Sequence, residues 1–119
     1  MRYRTIILLL RNPVALFLSM ILYNVTIGID REIEPEWIAW MKTEHIPEIL
    51  NTGIFESHKF YKVLSHDDEH TVSYCVQYFT PSIEQFNMYL KDFAPTFVEK
   101  HKAKFKDKHV AFRTLLEEV

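Results

Sequence analysis

Two stretches of the chain alternate apolar and polar side chains with a period of two. The apolar members occupy every second position, at Ile21, Tyr23, Val25, Ile27 and Ile29 in the first stretch and at Val72, Tyr74, Val76 and Tyr78 in the second. Successive side chains of a β-strand point to opposite faces, so each stretch predicts a strand with one buried face. The other face of both strands must then meet water, a ligand or a second sheet.

A helix is predicted after the first of these strands. It begins in the acid-rich segment 30–35, which ends in a proline as the first turn of a helix often does, and it continues at helical spacing to Glu44. Pro47 disfavours a helical conformation of Ile46, so we expect a break or kink at residues 45–47.

A second helix is predicted after the second strand. Ser82 and Gln85 have the spacing of a capping box at its start, and Pro95 is expected to kink it. Its apolar residues recur every three or four positions, which predicts one buried stripe. The stripe consists of Ile83, Phe86, Leu90, Phe93, Phe97, His101 and Phe105.

Residues 54–64 and 110–116 predict two further strands, so the order of elements is βαββαβ. This order is typical of the α+β, ferredoxin-like fold, a four-stranded antiparallel sheet with two helices on one face. The length of 119 residues suits one domain with one core, which we place at residues 20–119.

Residues 1–19 differ from the rest because they contain three arginines, no acid and two apolar runs that Arg11, Asn12 and Pro13 separate. A signal peptide or membrane anchor needs an unbroken apolar stretch. We expect a non-domain extension that arises from a start site placed too early, with Met20 as the true initiator. A signal or anchor remains the alternative, and only then would a membrane be a partner.

Composition excludes several functional classes. One cysteine and two glycines rule out a closed cysteine-based zinc site, a dinucleotide fingerprint and a Walker phosphate loop. We therefore expect no metal and no cofactor. Residues 20–119 contain eleven basic and sixteen acidic residues, a net charge of −5. Such a charge argues against a nucleic-acid partner.

The polar face of the predicted sheet is the first candidate ligand site. Asn24, Thr26 and Gln77 lie on the strand positions opposite the apolar set, and Arg113 of the last strand is expected on the same side. Amides, a hydroxyl and a guanidinium together could bind a small polar or anionic ligand. Alternatively, the face is wet or meets a second copy, and its polar groups only satisfy each other.

His45 is the second candidate. It lies shortly before Pro47 and one or two helical turns from Trp37 and Trp40. There it could face a cavity as an acid, a base or a haem ligand, or it could simply cap the end of the helix. The two tryptophans are expected in the core.

The remaining histidines and the cysteine are expected to have structural roles. His101 lies on the apolar stripe, where a hydrogen bond is a commoner role than metal ligation. His66 and His70 flank three acids in the loop 65–70, which we interpret as a solvated loop rather than a divalent-metal site. Cys75, within a strand and without a base beside it, is expected to be a small buried side chain.

Several segments of the chain resemble one protein family. The sequence is similar to an uncharacterised bacterial family, domain of unknown function 4286, over residues 20–119, in segments 21–26, 37–41, 45–47, 52–53, 74–79 and 111–114. The resemblance implies an architecture similar to the dimeric α+β barrels, and a homodimer. It implies no established activity and no catalytic residues.

Together these observations predict a small, cytoplasmic, dimeric α+β domain that is non-catalytic or binds a small ligand. The uncovered sheet face is expected to form the dimer. The alternative is a cofactor-independent monooxygenase or isomerase of the dimeric α+β barrel type, which would use His45, tyrosine and Arg113. That alternative rests on analogy of fold.

Overall fold

The computed structural model describes residues 20–65 and 68–119, and it divides them into four strands and four α-helices. In chain order these are β1 (Ile21–Asp30), α1 (Glu34–Trp40), α2 (Ile46–Leu50), β2 (Ser57–Lys62), β3 (Thr71–Thr80), α3 (Ile83–Asp92), α4 (Ala94–Lys104) and β4 (His109–Glu117). The predictions for residues 1–19 and for His66 lie outside the described residues. No helix in the described ranges is long and apolar enough to span a membrane.

The four strands form one antiparallel sheet in the order β2-β3-β1-β4. The predicted α+β class with a four-stranded antiparallel sheet is thereby confirmed. Residues that pair directly across two antiparallel strands have side chains on the same face. Val25 of β1 pairs with Val76 of β3 and with Arg113 of β4, whereas Asn24 pairs with Gln77 and with Thr114.

The helices cover the face of the sheet that carries Tyr23, Ile27 and Val76, which we call the inner face. Its core is unusually aromatic: Tyr23 packs 4.9 Å from Phe86 and 6.1 Å from Phe55, measured between ring centroids. Each aromatic side chain buries a large apolar area, so a small domain can form its core from few residues. The opposite face, which carries Asn24 and its neighbours, is called the open face.

The number of helices differs from the prediction, because each predicted helix is divided in two. In the first region the helix does not break before Pro47. A π-helical turn at Met41–His45 links α1 to α2, and Ile46 keeps helical angles of φ −61° and ψ −46°. Its N–H bonds to the carbonyl of Met41, five residues earlier. The wider turn accommodates a proline that an unbroken α-helix would exclude.

The second helical region divides at Phe93, where φ is −126°, and α4 begins with Pro95 in its first turn. The buried stripe on α3 is displaced from the predicted one. Leu90 is 45% exposed, whereas its neighbour Tyr89 is 3% exposed and packs on Tyr23. Ile83 is also exposed. The predicted capping box is present, since the Ser82 hydroxyl accepts a hydrogen bond of 3.1 Å from the Gln85 N–H.

Edge strand β4 is poorly covered on both faces. On the open face, Val110, Phe112 and Leu116 are 64%, 63% and 46% exposed. On the inner face, Arg113 and Leu115 are also exposed. The helices therefore cover the inner face over β1 and β3 and leave β4 projecting beyond them.

We expect Phe86→Ala to lower the free energy of unfolding by about 3–5 kcal/mol, because it empties a buried aromatic position against Tyr23. Leu90→Ala on the same helix is the control, and we expect a loss of about 0.5–1 kcal/mol from a half-exposed site. Urea denaturation of both variants measures the difference. Equal losses would show that α3 packs with another face.

Candidate functional site

A small cavity of about 30 Å³ lies between the inner face of the sheet and the helices. Most of its wall is aliphatic or aromatic. The polar groups that line it come from three places: Tyr23, Tyr78 and Arg113 from the sheet, His45 from the π turn, and Tyr89 and His101 from the second helical region. A cavity of this volume has room for one water-sized group.

His45 enters the cavity wall because the π turn sets its direction. Its side chain stacks on Trp40, with ring centroids 4.5 Å apart, and the residue is 8% exposed. Its Nδ1 atom is buried and has no hydrogen-bond partner among the described residues. Burial lowers the pKa of His45 to about 4, so the imidazole is neutral at physiological pH. A buried polar atom without a partner is uncommon in folded proteins.

His101 is held by a hydrogen bond across the core. The Trp37 Nε1–H donates to His101 Nε2 at 2.9 Å, and Trp40 stacks on the His101 ring at 5.4 Å. Because Nε2 accepts this bond, the ring must be neutral and carry its proton on Nδ1. Burial and the neighbouring histidines His109 and His45 lower the pKa of His101 to about 3.

Tyrosines and one guanidinium complete the polar lining. Burial raises the pKa of the Tyr23 hydroxyl, and a hydrogen bond and charge interaction with Arg113 partly oppose that increase. Burial also raises the pKa of Tyr89. Both phenols are therefore neutral donors and acceptors at physiological pH, and Arg113 is the permanent charge beside them.

The cavity adjoins a much larger cleft of about 650 Å³ between α4 and β4. Val98, His101 and Arg113 line both spaces. The charged side chains of the cleft are Lys102, Lys106, Arg113, Glu99 and Asp107. The exposed inner face of β4 is what leaves the cleft open to solvent.

The five site residues predicted from sequence divide between the two faces. Asn24, Thr26 and Gln77 lie on the open face, where the Asn24 amide donates to the Thr26 hydroxyl at 3.1 Å. Arg113 does not join them, and this corrects the prediction. It pairs with Val25, so its side chain projects on the inner face, near His45. The predicted site that combines Asn24, Gln77 and Arg113 on one face of the sheet is therefore not formed.

The edge position of β4 is the physical reason for this error. Its inner-face positions extend beyond the helices, so an arginine can lie there without burial of its charge. Sequence analysis also did not select Tyr23 or Tyr89 as site residues. In the sequence these two tyrosines follow the same apolar pattern as other core aromatic residues, because their rings pack in the core and each hydroxyl lies at the end of its side chain.

The described residues contain no group of three histidine, cysteine or acidic side chains that could hold a metal ion. In the loop before β3, the Asp68 carboxylate accepts hydrogen bonds from the backbone N–H groups of His70 and Thr71. Cys75 faces the open side beside Thr26, and partial burial raises the pKa of its thiol. Neither feature adds a polar group to the cavity.

We expect acid to destabilise the protein below about pH 6.5 through His45 and His101. Their pKa values in the folded chain, about 4 and about 3, lie below the value of about 6.5 in an unfolded chain. The unfolded state therefore binds protons first, and stability falls as pH decreases through this window. Each histidine should lower the free energy of unfolding by roughly 2 kcal/mol at pH 5, because each pH unit below the unfolded-state pKa contributes about 1.36 kcal/mol.

Urea denaturation at pH 7.5 and pH 5 measures this loss. His101→Gln retains an acceptor for the Trp37 N–H and should reduce the loss, as should His45→Asn. Electrostatic interactions with Glu48, Lys100, His109 and Arg113 also contribute to the pKa values of these two rings. His70→Gln, at a side chain that is 86% exposed, is the control and should leave the loss unchanged. An unchanged loss in all three variants would exclude the two buried histidines as its source.

Solved structures from other proteins share this fold. A conserved protein of unknown function from Bacteroides thetaiotaomicron, described as a possible oxidoreductase, has a TM-score of 0.61 at 13% identity, covering 85% of this chain and 99% of its own. The cofactor-independent oxygenase SnoaB from Streptomyces nogalater has a TM-score of 0.60 at 13% identity, covering 85% of this chain and 94% of its own.

A dimeric ferredoxin-like protein from an uncultured marine organism has a TM-score of 0.57 at 14% identity, covering 85% of this chain and 96% of its own. At such low identity these similarities establish the fold alone. No curated protein matches the chain in sequence. The sequence profile of the domain of unknown function DUF4286 matches residues 20–119, which are the residues of the sheet and its helices. The chain therefore belongs to the DUF4286 family.

Proposed function

We propose that this protein is a homodimeric small-ligand-binding domain with the ferredoxin-like βαββαβ arrangement of the dimeric α+β barrels. Its ligand site is the cavity beside His45 together with the cleft between α4 and β4. One observation carries the proposal: the buried Nδ1 of His45 has no partner and lines a cavity that adjoins an open cleft. A bound molecule would supply the missing hydrogen bond.

The dimer is supported by the open face of the sheet. Phe112 and Val110 of β4, with Tyr61 of β2, expose apolar surface there, and Leu22 and Phe79 lie between them. Exposed apolar area on one face is a usual mark of an association surface. Two of the structures with this fold are dimeric ferredoxin-like proteins. A two-fold partner would cover this face, sheet against sheet.

A second candidate function is a cofactor-independent oxygenase or isomerase. The observation that favours it is a cavity lined by three phenols, two neutral imidazoles and a guanidinium, in a fold shared with SnoaB. A neutral imidazole can accept a proton from a bound substrate, and a guanidinium can stabilise the resulting anion. This function requires the same site, so the ligand experiment below also addresses it.

Ligand binding can be followed through the two tryptophans of the chain. The Trp37 indole donates to His101 and Trp40 stacks on His45, so both indole N–H signals in a ¹⁵N-labelled NMR spectrum report on the cavity. We expect members of a library of small acids, alcohols and amides to shift both signals. His45→Phe, which removes the unpartnered nitrogen, should weaken binding about tenfold or more, whereas Leu90→Ala on the exposed side of α3 should not.

If no member of the library shifts either indole N–H signal, the proposal that this cavity binds a ligand is contradicted. Melting curves of each variant separate a loss of binding from a loss of folding. Oxygen uptake and product analysis with the same binders distinguish a binding domain from an oxygenase or isomerase.

We expect Phe112→Lys to weaken the dimer strongly, because it places a charge among the exposed apolar side chains of the open face. Leu90→Lys introduces the same charge at a half-exposed leucine on α3, away from that face, and should leave assembly unchanged. Light scattering at micromolar concentration measures both. A mass of 14.3 kDa for the unmutated protein would overturn the dimer.

A further inference from the structure

We propose that the ligand of this site is a small carboxylic acid that carries a hydroxyl group near its carboxylate. The carboxylate would pair with Arg113 where cavity and cleft meet, and the hydroxyl would occupy the inner cavity beside His45. The rest of the molecule would lie in the cleft between α4 and β4. This inference deepens the proposed function and rests on it.

Arg113 is placed to select a carboxylate. Among the described residues it is the one charged side chain that lines both the cavity and the cleft. A guanidinium has five N–H donors, so an interaction of Arg113 with Tyr23 leaves others for a ligand. It forms no ion pair within the described ranges. The planar donor pair of arginine fits a carboxylate in a bidentate arrangement.

The cleft around Arg113 favours an anion even though the domain is acidic. Lys102 and Lys106 line the cleft and form no ion pair with any described residue, whereas Lys100, Lys104 and Lys108 are each paired with a glutamate. Two acids, Glu99 and Asp107, also line the cleft. The lysines, the arginine and the acids of the lining together carry one more positive than negative charge, while residues 20–119 as a whole carry a net charge of −5.

The inner cavity determines the second group of the ligand. Its volume of about 30 Å³ accommodates one group the size of a water molecule, which excludes a ring. The unpartnered Nδ1 of His45 requires a polar group there. A hydroxyl both donates and accepts a hydrogen bond, so it satisfies Nδ1 in either tautomer of the neutral imidazole.

Binding of three matched probes tests the inference by calorimetry on the full chain. Mandelate has a hydroxyl next to its carboxylate, mandelamide replaces the charge by an amide, and phenylacetate lacks the hydroxyl. We expect mandelate to bind at least tenfold more tightly than either of the other two. Arg113→Gln should abolish the preference for mandelate over mandelamide. Lys91→Gln, at an exposed lysine of α3, should preserve it.

The outcomes separate this inference from the proposed function. Equal binding of mandelate and mandelamide, with both indole signals shifted, would contradict the inference that the ligand carries a carboxylate. The proposed ligand site itself would still be supported. Equal binding of mandelate and phenylacetate would contradict the inference that the ligand carries a hydroxyl group. If none of the three probes binds, the inference fails, and the library experiment alone decides whether the site binds other molecules. Indole chemical shifts of free Arg113→Gln that match the unmutated protein confirm that it is folded.

Discussion

The hydrogen bond from Trp37 to His101 determines much of the interior. It joins α1 to α4 across 64 residues of sequence and lies in a buried environment. Because an imidazole must be neutral to accept this bond, the bond fixes both the charge and the tautomer of His101. It also fixes the Trp40 ring, which stacks on both His101 and His45. A single donor–acceptor pair thus orders the aromatic and imidazole rings beside the cavity.

The other determining constraint is the incomplete cover over β4. The helices lie over β1 and β3, so the inner face of the edge strand is left to form the floor of a cleft rather than part of the core. An arginine can then lie beside a buried cavity while its charge still contacts solvent. Full burial of an unpaired guanidinium would be strongly unfavourable. The site combines a buried interior end and a charged outer end open to solvent for this reason.

The period-two alternation was sufficient to predict β1 and β3, and with them the inner and open faces, because both strands are central and their burial differs sharply between faces. It was not sufficient for β4, where exposed apolar and charged residues follow one another on both faces. Tyr89 was missed in favour of Leu90, since both fit a helical stripe and only the packing partner Tyr23 distinguishes them. The sequence places His45 among the candidate site residues, but nothing in the sequence reveals that its Nδ1 lacks a partner.

The π turn at Met41–His45 has a consequence for how this site can change over evolution. A π turn contains one residue more than the α-helical turn it replaces, and each residue of an α-helix advances the chain by about 100° around its axis. Loss of a single residue among Lys42, Thr43 and Glu44 would let the segment close into an ordinary α-helical turn, which covers nearly the same angle with one residue fewer, so His45 would keep its direction relative to α1. A one-codon deletion in this exposed turn would therefore leave the imidazole facing the cavity but would place Pro47 in an unbroken α-helix, which its ring and its missing N–H disfavour.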